Sequence, residues 1–264
     1  MSGKVIAIAN QKGGVGKTTT AVNLSSCVAS LGYKTLLIDI DPQGNATSGL
    51  GVAKATEGNS IYEALIEEAP LENAIQPTRV PNLDLVSSAI RLAGAEIELV
   101  SAMAREHVLA TRLEPVRENY QFIFIDCPPS LGLLTLNALS AADSVLVPIQ
   151  CEFYALEGLT QLMNTVRLVK KRLNPPLEIE GVVLTMFDGR TNLGVQVVQE
   201  VRKYFLDKVF SSLIPRNVRL GEAPSHGEPI HIYDPRSSGS TAYMALAREF
   251  IEWNKEQPSR MVVG

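Results

Sequence analysis

Gln11-Lys12-Gly13-Gly14-Val15-Gly16-Lys17-Thr18-Thr19 is a glycine-rich loop set between two different kinds of sequence. Before it lies Val5-Ile6-Ala7-Ile8-Ala9, an apolar, β-rich run. After it, Ala21, Val22, Leu24, Cys27, Val28 and Leu31 fall at helical spacing, and Gly32 stops the helix. Strand, glycine loop and helix in that order are the context a phosphate-binding loop needs. Glycines let the backbone bend until successive N–H groups face one anion, and the helix N-terminus adds a partial positive charge. Gly13, Gly14, Val15, Gly16, Lys17, Thr18 and Thr19 are therefore the candidate phosphate ligands. Lys17 can reach the β- and γ-phosphates, and the Thr18 hydroxyl can ligate a Mg²⁺ that also holds them.

The loop departs from G-x-x-x-x-G-K-[ST] in two ways. Gln11 stands where the pattern asks for glycine, and Lys12 adds a second lysine. Lys17 already serves the phosphates in cis. Lys12, five residues earlier, lies on the outer side of the loop, where its own nucleotide is awkward to reach. Its target is then a partner's nucleotide, as for an arginine finger supplied in trans. The alternative is a solvated lysine.

Two acidic motifs follow. In Leu37-Ile38-Asp39-Ile40-Asp41-Pro42-Gln43-Gly44-Asn45, acids at i and i+2 point the same way off a strand that Pro42 and Gly44 end. Carboxylates there can hold Mg²⁺ through water, or position or deprotonate an attacking water. The plain alternative is a solvated turn. In Phe122-Ile123-Phe124-Ile125-Asp126-Cys127-Pro128-Pro129, an apolar strand ends in an acid, the Walker B pattern. Thr18, Asp39 and Asp126 are the candidate metal residues. Further on, Val183–Asn192 and Ile214–Pro224 each follow an apolar strand and should open onto the same edge of the sheet.

The chain has 264 residues, 45% of them hydrophobic and 20% charged, which fits a folded α/β domain with a sizeable core. The formal net charge of −4 means that any nucleic-acid contact must come from a local basic patch. The cysteines, Cys27, Cys127 and Cys151, form no C-x-x-C pair and lie in or beside apolar runs, as buried thiols of a reduced cytoplasmic protein do. A strand is expected within four residues of the N-terminus, so no signal peptide is expected, and no apolar run approaches a membrane span. His107, His226 and His231 are too scattered to suggest a metal site.

Strands are expected at Lys34–Asp39, Leu83–Val86, Phe122–Ile125, Ser144–Ile149 and Glu180–Met186, with a short one near Val209. Helices are expected at Ile61–Glu67, Ala93–Val100, 101–119, Leu133–Ala141, Leu156–Leu173, Val195–Phe205 and Ser240–Trp253. Alternating strands and helices imply one domain over residues 1–264: a mostly parallel twisted α/β sheet with helices on both faces. Its ligand lies outside the carboxyl ends of the strands. The tail from about residue 255 reads as flexible.

K-G-G-x-G-K-[ST], D-x-D-P-Q-G-N and the Asp126 strand, in this order, resemble the deviant Walker A ATPases of the ParA/MinD family, and most closely the chromosomal ParA (Soj) group. The resemblance runs almost end to end. It takes in Leu92–Leu99, Tyr154-Ala155-Leu156-Glu157-Gly158-Leu159, Arg190–Gly194 and Glu222-Ala223-Pro224-Ser225-His226-Gly227. It implies an ATP- and Mg²⁺-dependent DNA-segregation ATPase, cytoplasmic and associated with the nucleoid. Two subunits sandwich two ATP molecules, with Lys12 of each reaching the phosphates of the other. The homodimer binds double-stranded DNA without sequence preference, and a ParB-type partner stimulates hydrolysis and release. By the same resemblance Lys12, Lys17 and Asp41 are catalytic, Pro215 and Asn217 pack on the adenine, and Arg190 and Arg219 bind DNA.

Other basic candidates for the DNA face are Arg202, Lys203 and Arg216, with Lys170-Lys171-Arg172 as a second cluster. A MinD-like membrane cycle would need a basic amphipathic C-terminal helix. Pro258 and mixed charges in Asn254–Gly264 argue against one. An iron–sulfur relative would need a cysteine where Leu133 and Leu134 stand. The helix-turn-helix of larger plasmid relatives is not expected here. A nucleotide-gated scaffold whose hydrolysis is incidental is the remaining alternative.

Overall fold

The computed structural model describes residues 2–54, 58–152 and 159–256. The strands are β1 (Lys4–Ile8), β2 (Thr35–Asp39), β3 (Ile75–Pro77), β4 (Leu83–Val86), β5 (Phe122–Asp126), β6 (Ser144–Gln150) and β7 (Glu178–Thr185). They form a seven-stranded sheet in the order β3-β4-β2-β5-β1-β6-β7. All its pairings are parallel except β3 with β4. A parallel sheet is covered on both faces, which is why its strands read as unbroken apolar runs. Val5, Ala7, Leu36, Ile38, Ile123 and Ile125 face one core cluster, and Ile6, Ile8, Leu37, Phe122 and Phe124 face the other.

The helices are α1 (Lys17–Ser30), α2 (Asn45–Gly49), α3 (Ile61–Ile66), α4 (Leu92–Glu98), α5 (Val108–Leu113), α6 (Leu133–Ala141), α7 (Leu159–Arg172), α8 (Asn192–Phe205), α9 (Val218–Glu222), α10 (Ile230–Tyr233) and α11 (Ser238–Glu256). α1 and α11 cover the second face, where Phe250 meets Phe122 and Phe124 at ring-centroid distances of 5.1 and 5.5 Å. No helix among the described residues is long and apolar enough to cross a membrane. All three cysteines are buried and free.

The single helix expected over 101–119 is not formed. Only α5 is α-helical there, followed by a 3₁₀ stretch at Glu114–Asn119. Pro115 lacks an N–H, and its ring opposes the carbonyl four residues back. Ala104, at φ 47°, breaks the chain before α5. β3, α2, α9 and α10, of three to five residues each, are too short to show a period. Near Val209 there is one parallel bridge, to Val182, rather than a strand. α11 runs to Glu256, past the expected start of the tail. Positions 154–158 of the Tyr154–Leu159 motif and residues 257–264 lie outside the described residues.

Candidate functional site

Sheet register builds the site. Asp126 ends β5 directly opposite Ile8 at the end of β1 and Asp39 at the end of β2. Three adjacent strands thus deliver the glycine loop and two acids to one edge. The loop is braced from both sides. Asn10 Nδ2 donates to the Pro148 carbonyl at 2.7 Å, and the Lys12 N–H donates to Asn10 Oδ1 at 3.0 Å. Thr185 Oγ1, at the end of β7, donates to the Val15 carbonyl at 2.8 Å. Gly16 caps α1 at φ 87°, a left-handed conformation that suits glycine, and brings no side chain to the first-turn N–H groups. Those orphan donors and the helix dipole suit an anion.

Lys17 is 6% exposed, and its Nζ donates to the Lys12 carbonyl at 3.0 Å. Burial lowers its pKa, and the nearby Asp126 opposes that shift. Asp126 is fully buried, and neither carboxylate oxygen has a hydrogen-bond partner. Burial, then the charge of Asp39, pushes its pKa well up, while the Thr18 hydroxyl and Lys17 pull the other way. A buried acid left without donors is costly unless something positive completes it. An acid facing a hydroxyl at the mouth of a phosphate loop is a donor set suited to Mg²⁺, which takes one or two protein oxygens, waters and phosphates.

The structure gives Asp39 different work from the metal role expected of it. Its Oδ2 accepts from the Thr47 N–H at 2.8 Å and the Thr47 hydroxyl at 2.7 Å, and Oδ1 accepts from the Asp41 N–H at 3.2 Å. Burial raises its pKa to about 6 against those three hydrogen bonds. Its oxygens are turned into the fold, where they hold the loop and α2. Asp41 lies beyond the strand end, 6% exposed, and its Oδ1 accepts from the Gln43 N–H at 2.8 Å.

Beside the glycine loop is a cavity of about 200 Å³ lined by Gly16, Thr19, Thr185, Met186, Pro215 and Asn217 among others. Asn217 and Pro215 are thus where a base next to the loop would sit. The Asn217 side chain is already committed, however. Its Oδ1 accepts from the Arg219 N–H at 2.8 Å, capping α9, and its Nδ2 donates to Ser238 Oγ at 2.7 Å. What remains for a ligand is the main chain and the Pro215 ring. The loops after β7 and around Pro215 lie side by side through a parallel bridge between Phe187 and Pro215.

Lys12 is half-buried, and its ammonium makes no ion pair or hydrogen bond among the described residues. The arginines are differently placed. Arg190 is 90% exposed and grips Asp188 with two bonds of 2.8 and 2.7 Å, which hold the Asp188 carboxyl down at about 2. Arg219 pairs with Glu222 at 2.8 Å and Asp234 at 3.5 Å, Arg216 with Glu152 at 3.2 Å, and Lys203 with Glu200. Of the expected basic residues, Arg190, Lys203, Arg216 and Arg219 are thus each already paired with an acid, whereas Arg202 has no ion pair among the described residues.

Sequence reasoning missed Thr47, Ser88, Thr185 and Glu96. Glu96 of α4 sits over Gly132 and accepts from the Leu134 N–H at the start of α6, where an acid suits the dipole. The Glu222–Gly227 motif also gains a reason. The Gly227 backbone touches that of Gly51, just past α2, so closely that a Cβ on either would meet the other at under 3 Å.

A family model described as an AAA domain matches residues 3–179. The Soj sporulation initiation inhibitor protein of Bacillus subtilis is 63% identical over 247 residues, 94% of this chain and 98% of Soj. The chromosome partitioning protein ParA of Myxococcus xanthus is 55% identical over 262 residues, 99% of this chain and 93% of that protein. Among solved structures, a cobyrinic acid a,c-diamide synthase from Mycobacterium smegmatis with bound ADP and magnesium superposes with a TM-score of 0.85. It is 34% identical, over 97% of this chain and 96% of its own. The cell division ATPase MinD of Pyrococcus furiosus superposes with a TM-score of 0.77 at 28% identity, over 95% and 99% of the two chains. With its strand-end acids, its two-lysine loop and these relatives, the chain belongs to the ParA/Soj family of chromosome-partitioning ATPases.

Proposed function

We propose that this chain is a Mg²⁺-dependent ATPase that cycles between a DNA-bound ATP dimer and a released form, and so partitions chromosomal DNA. The register that sets Asp126 beside the ends of β1 and β2, and so brings the glycine loop with Lys17 and Thr18 and the loop holding Asp41 to one edge, is the observation that supports the reading. The loop N–H groups and Lys17 bind the β- and γ-phosphates, and the base enters the cavity beside Pro215 and Asn217. Thr18 and Asp126 would hold Mg²⁺, which would neutralise charge on the phosphates. Asp41 orients the attacking water and takes its proton. The new bond forms at the γ-phosphorus as the bond to the β–γ bridging oxygen breaks, and ADP and phosphate leave. Lys12, with no counter-charge among the described residues, reaches across to the phosphates held by a second subunit. Arg190 and Arg219 exchange their carboxylates for DNA phosphates. A ParB-type partner stimulates hydrolysis and release, and the protein works on the nucleoid.

Binding to random-sequence DNA with ATP, ADP or no nucleotide, with and without a ParB-type protein, tests this reading. ATP should drive dimerisation and DNA binding, and the ParB-type protein should accelerate turnover. Asp41→Ala should remain dimeric on DNA without turning over. Lys12→Ala should bind ATP as a monomer by light scattering. DNA binding indifferent to nucleotide, or wild-type turnover by Asp41→Ala, would overturn it.

A further inference from the structure

Asp41 is two residues past the end of β2, in a loop that also holds Pro42 and Gly44, so strand pairing does not fix its carboxylate. Its main chain is nevertheless gripped at both ends. The Asp41 N–H donates to Asp39 Oδ1, and the Asp41 carbonyl accepts both from the Gly44 N–H at 2.8 Å and from Ser88 Oγ at 2.7 Å. Ser88 lies just beyond β4, 47 residues away in sequence. The Ser88 N–H in turn donates to Thr47 Oγ1 at 2.9 Å, and Thr47 Oγ1–H donates to Asp39 Oδ2 at 2.7 Å. The chain Asp39, Thr47, Ser88, Asp41 therefore closes on itself. Asp39, Thr47 and Ser88 are fully buried.

We infer that Thr47 and Ser88 are positioning residues for hydrolysis, a hydroxyl clasp that fixes the main chain of Asp41 and so aims its carboxylate. This rests on the reading of Asp41 as the residue that handles the attacking water. With φ and ψ of Asp41 held by bonds on either side, its Cα–Cβ direction is set before ATP arrives. Neither hydroxyl has a free donor for a ligand: each gives its one hydrogen to a partner inside the ring. Their contribution is therefore to geometry, and a misplacement of about 1 Å at a reacting group can cost about a hundredfold in rate. Thr47→Val keeps shape but removes the donor to Asp39 and the acceptor for Ser88. Ser88→Ala removes only the grip on the Asp41 carbonyl, whose bond from Gly44 persists.

Steady-state ATP turnover is measured for wild type, Asp41→Ala, Thr47→Val, Thr47→Ser and Ser88→Ala, together with ADP affinity and Tm. The clasp requires that Thr47→Val and Ser88→Ala lower kcat about tenfold or more with the KM for ATP and the ADP affinity unchanged, and that Thr47→Ser, which keeps the hydroxyl, restores kcat. If Asp41→Ala is inactive while Thr47→Val and Ser88→Ala keep the wild-type kcat, the clasp is overturned and the reading of Asp41 stands. If Asp41→Ala turns over normally, that reading fails and the clasp with it. If Thr47→Val does not fold, Ser88→Ala alone decides. A lower Tm with unchanged kcat in Ser88→Ala makes the pair a structural brace and overturns the inference.

Discussion

The loop after β1 and the loop after β7 leave the same edge of the sheet, yet their cations stand in opposite settings. Lys17 is buried and its ammonium touches a carbonyl; among the described residues it makes no direct ion pair, with Asp126 and Asp41 near enough only to oppose the effect of burial on its pKa. Arg190 is 90% exposed and chelated by Asp188. A buried cation without a direct ion pair is expensive to hold and gains most when an anion arrives. An exposed arginine already paired gains only the difference between two partners, in water and through salt. The first arrangement suits tight binding of one nucleotide. The second suits weak, repeated contacts with a polyanion, which become effective when two subunits present them together.

The largest effect belongs to the buried side. Lys17→Ala should abolish ATP binding, because the phosphates lose their principal cation in cis. Isothermal calorimetry would show no heat of binding, and retained micromolar affinity would mean that the loop N–H groups suffice without it.

A second change should separate stability from function at the same edge. Asp126→Asn removes a carboxylate whose oxygens have no donor. It should stop Mg²⁺-dependent hydrolysis yet stabilise the nucleotide-free fold by about 1 kcal/mol, about 2–4 °C in Tm for a domain of this size. The pKa of Asp126 is raised, so the wild-type penalty is full above its folded pKa and eases as the carboxyl protonates. The gap in Tm between variant and wild type should therefore narrow as pH falls through that raised folded pKa. A destabilised Asp126→Asn at pH 7.5, by calorimetry, would mean that the carboxylate is satisfied in the free protein.

What the sequence made legible follows from the same contrast. The glycine loop could be read because its chemistry is local: glycines, a lysine and a hydroxyl in one run between a strand and a helix. Asp126 could be read because an acid ends an apolar strand, and parallel register then set it beside the loop. Asp39 carries the same kind of signal, but its partner Thr47 lies eight residues on in a helix too short to show a period, so its inward turn was hidden. Ser88 is one hydroxyl after an apolar strand and becomes meaningful only once β4 lies beside β2. The arginines were legible as charges, and the acids that neutralise them were not. Asp188 and Glu222 are two and three residues away in sequence, but whether such neighbours pair depends on loop and helix geometry.

The smallest effect, and the one that sharpens the contrast most, concerns those arginines. A chain of net charge −4 meets DNA with long-range repulsion, so binding depends on short-range phosphate contacts. Arg219→Ala, and more weakly Arg190→Ala, should reduce DNA binding equally on all sequences while leaving ATP-driven dimerisation intact. Each should flatten the dependence of log affinity on log salt by about one unit. The paired state adds a test of opposite sign. Asp188 stays ionised throughout the working pH range, since Arg190 holds its carboxyl at about 2, so it always competes with DNA for the guanidinium. Asp188→Asn removes that competitor and should strengthen DNA binding modestly, with the salt slope kept or steepened. Weakened binding in Asp188→Asn would show that the carboxylate presents Arg190 to DNA instead of withholding it. Full affinity in the Arg190→Ala/Arg219→Ala double variant would move the DNA face elsewhere, with Lys170, Lys171 and Arg172 at the end of α7 next to be tried.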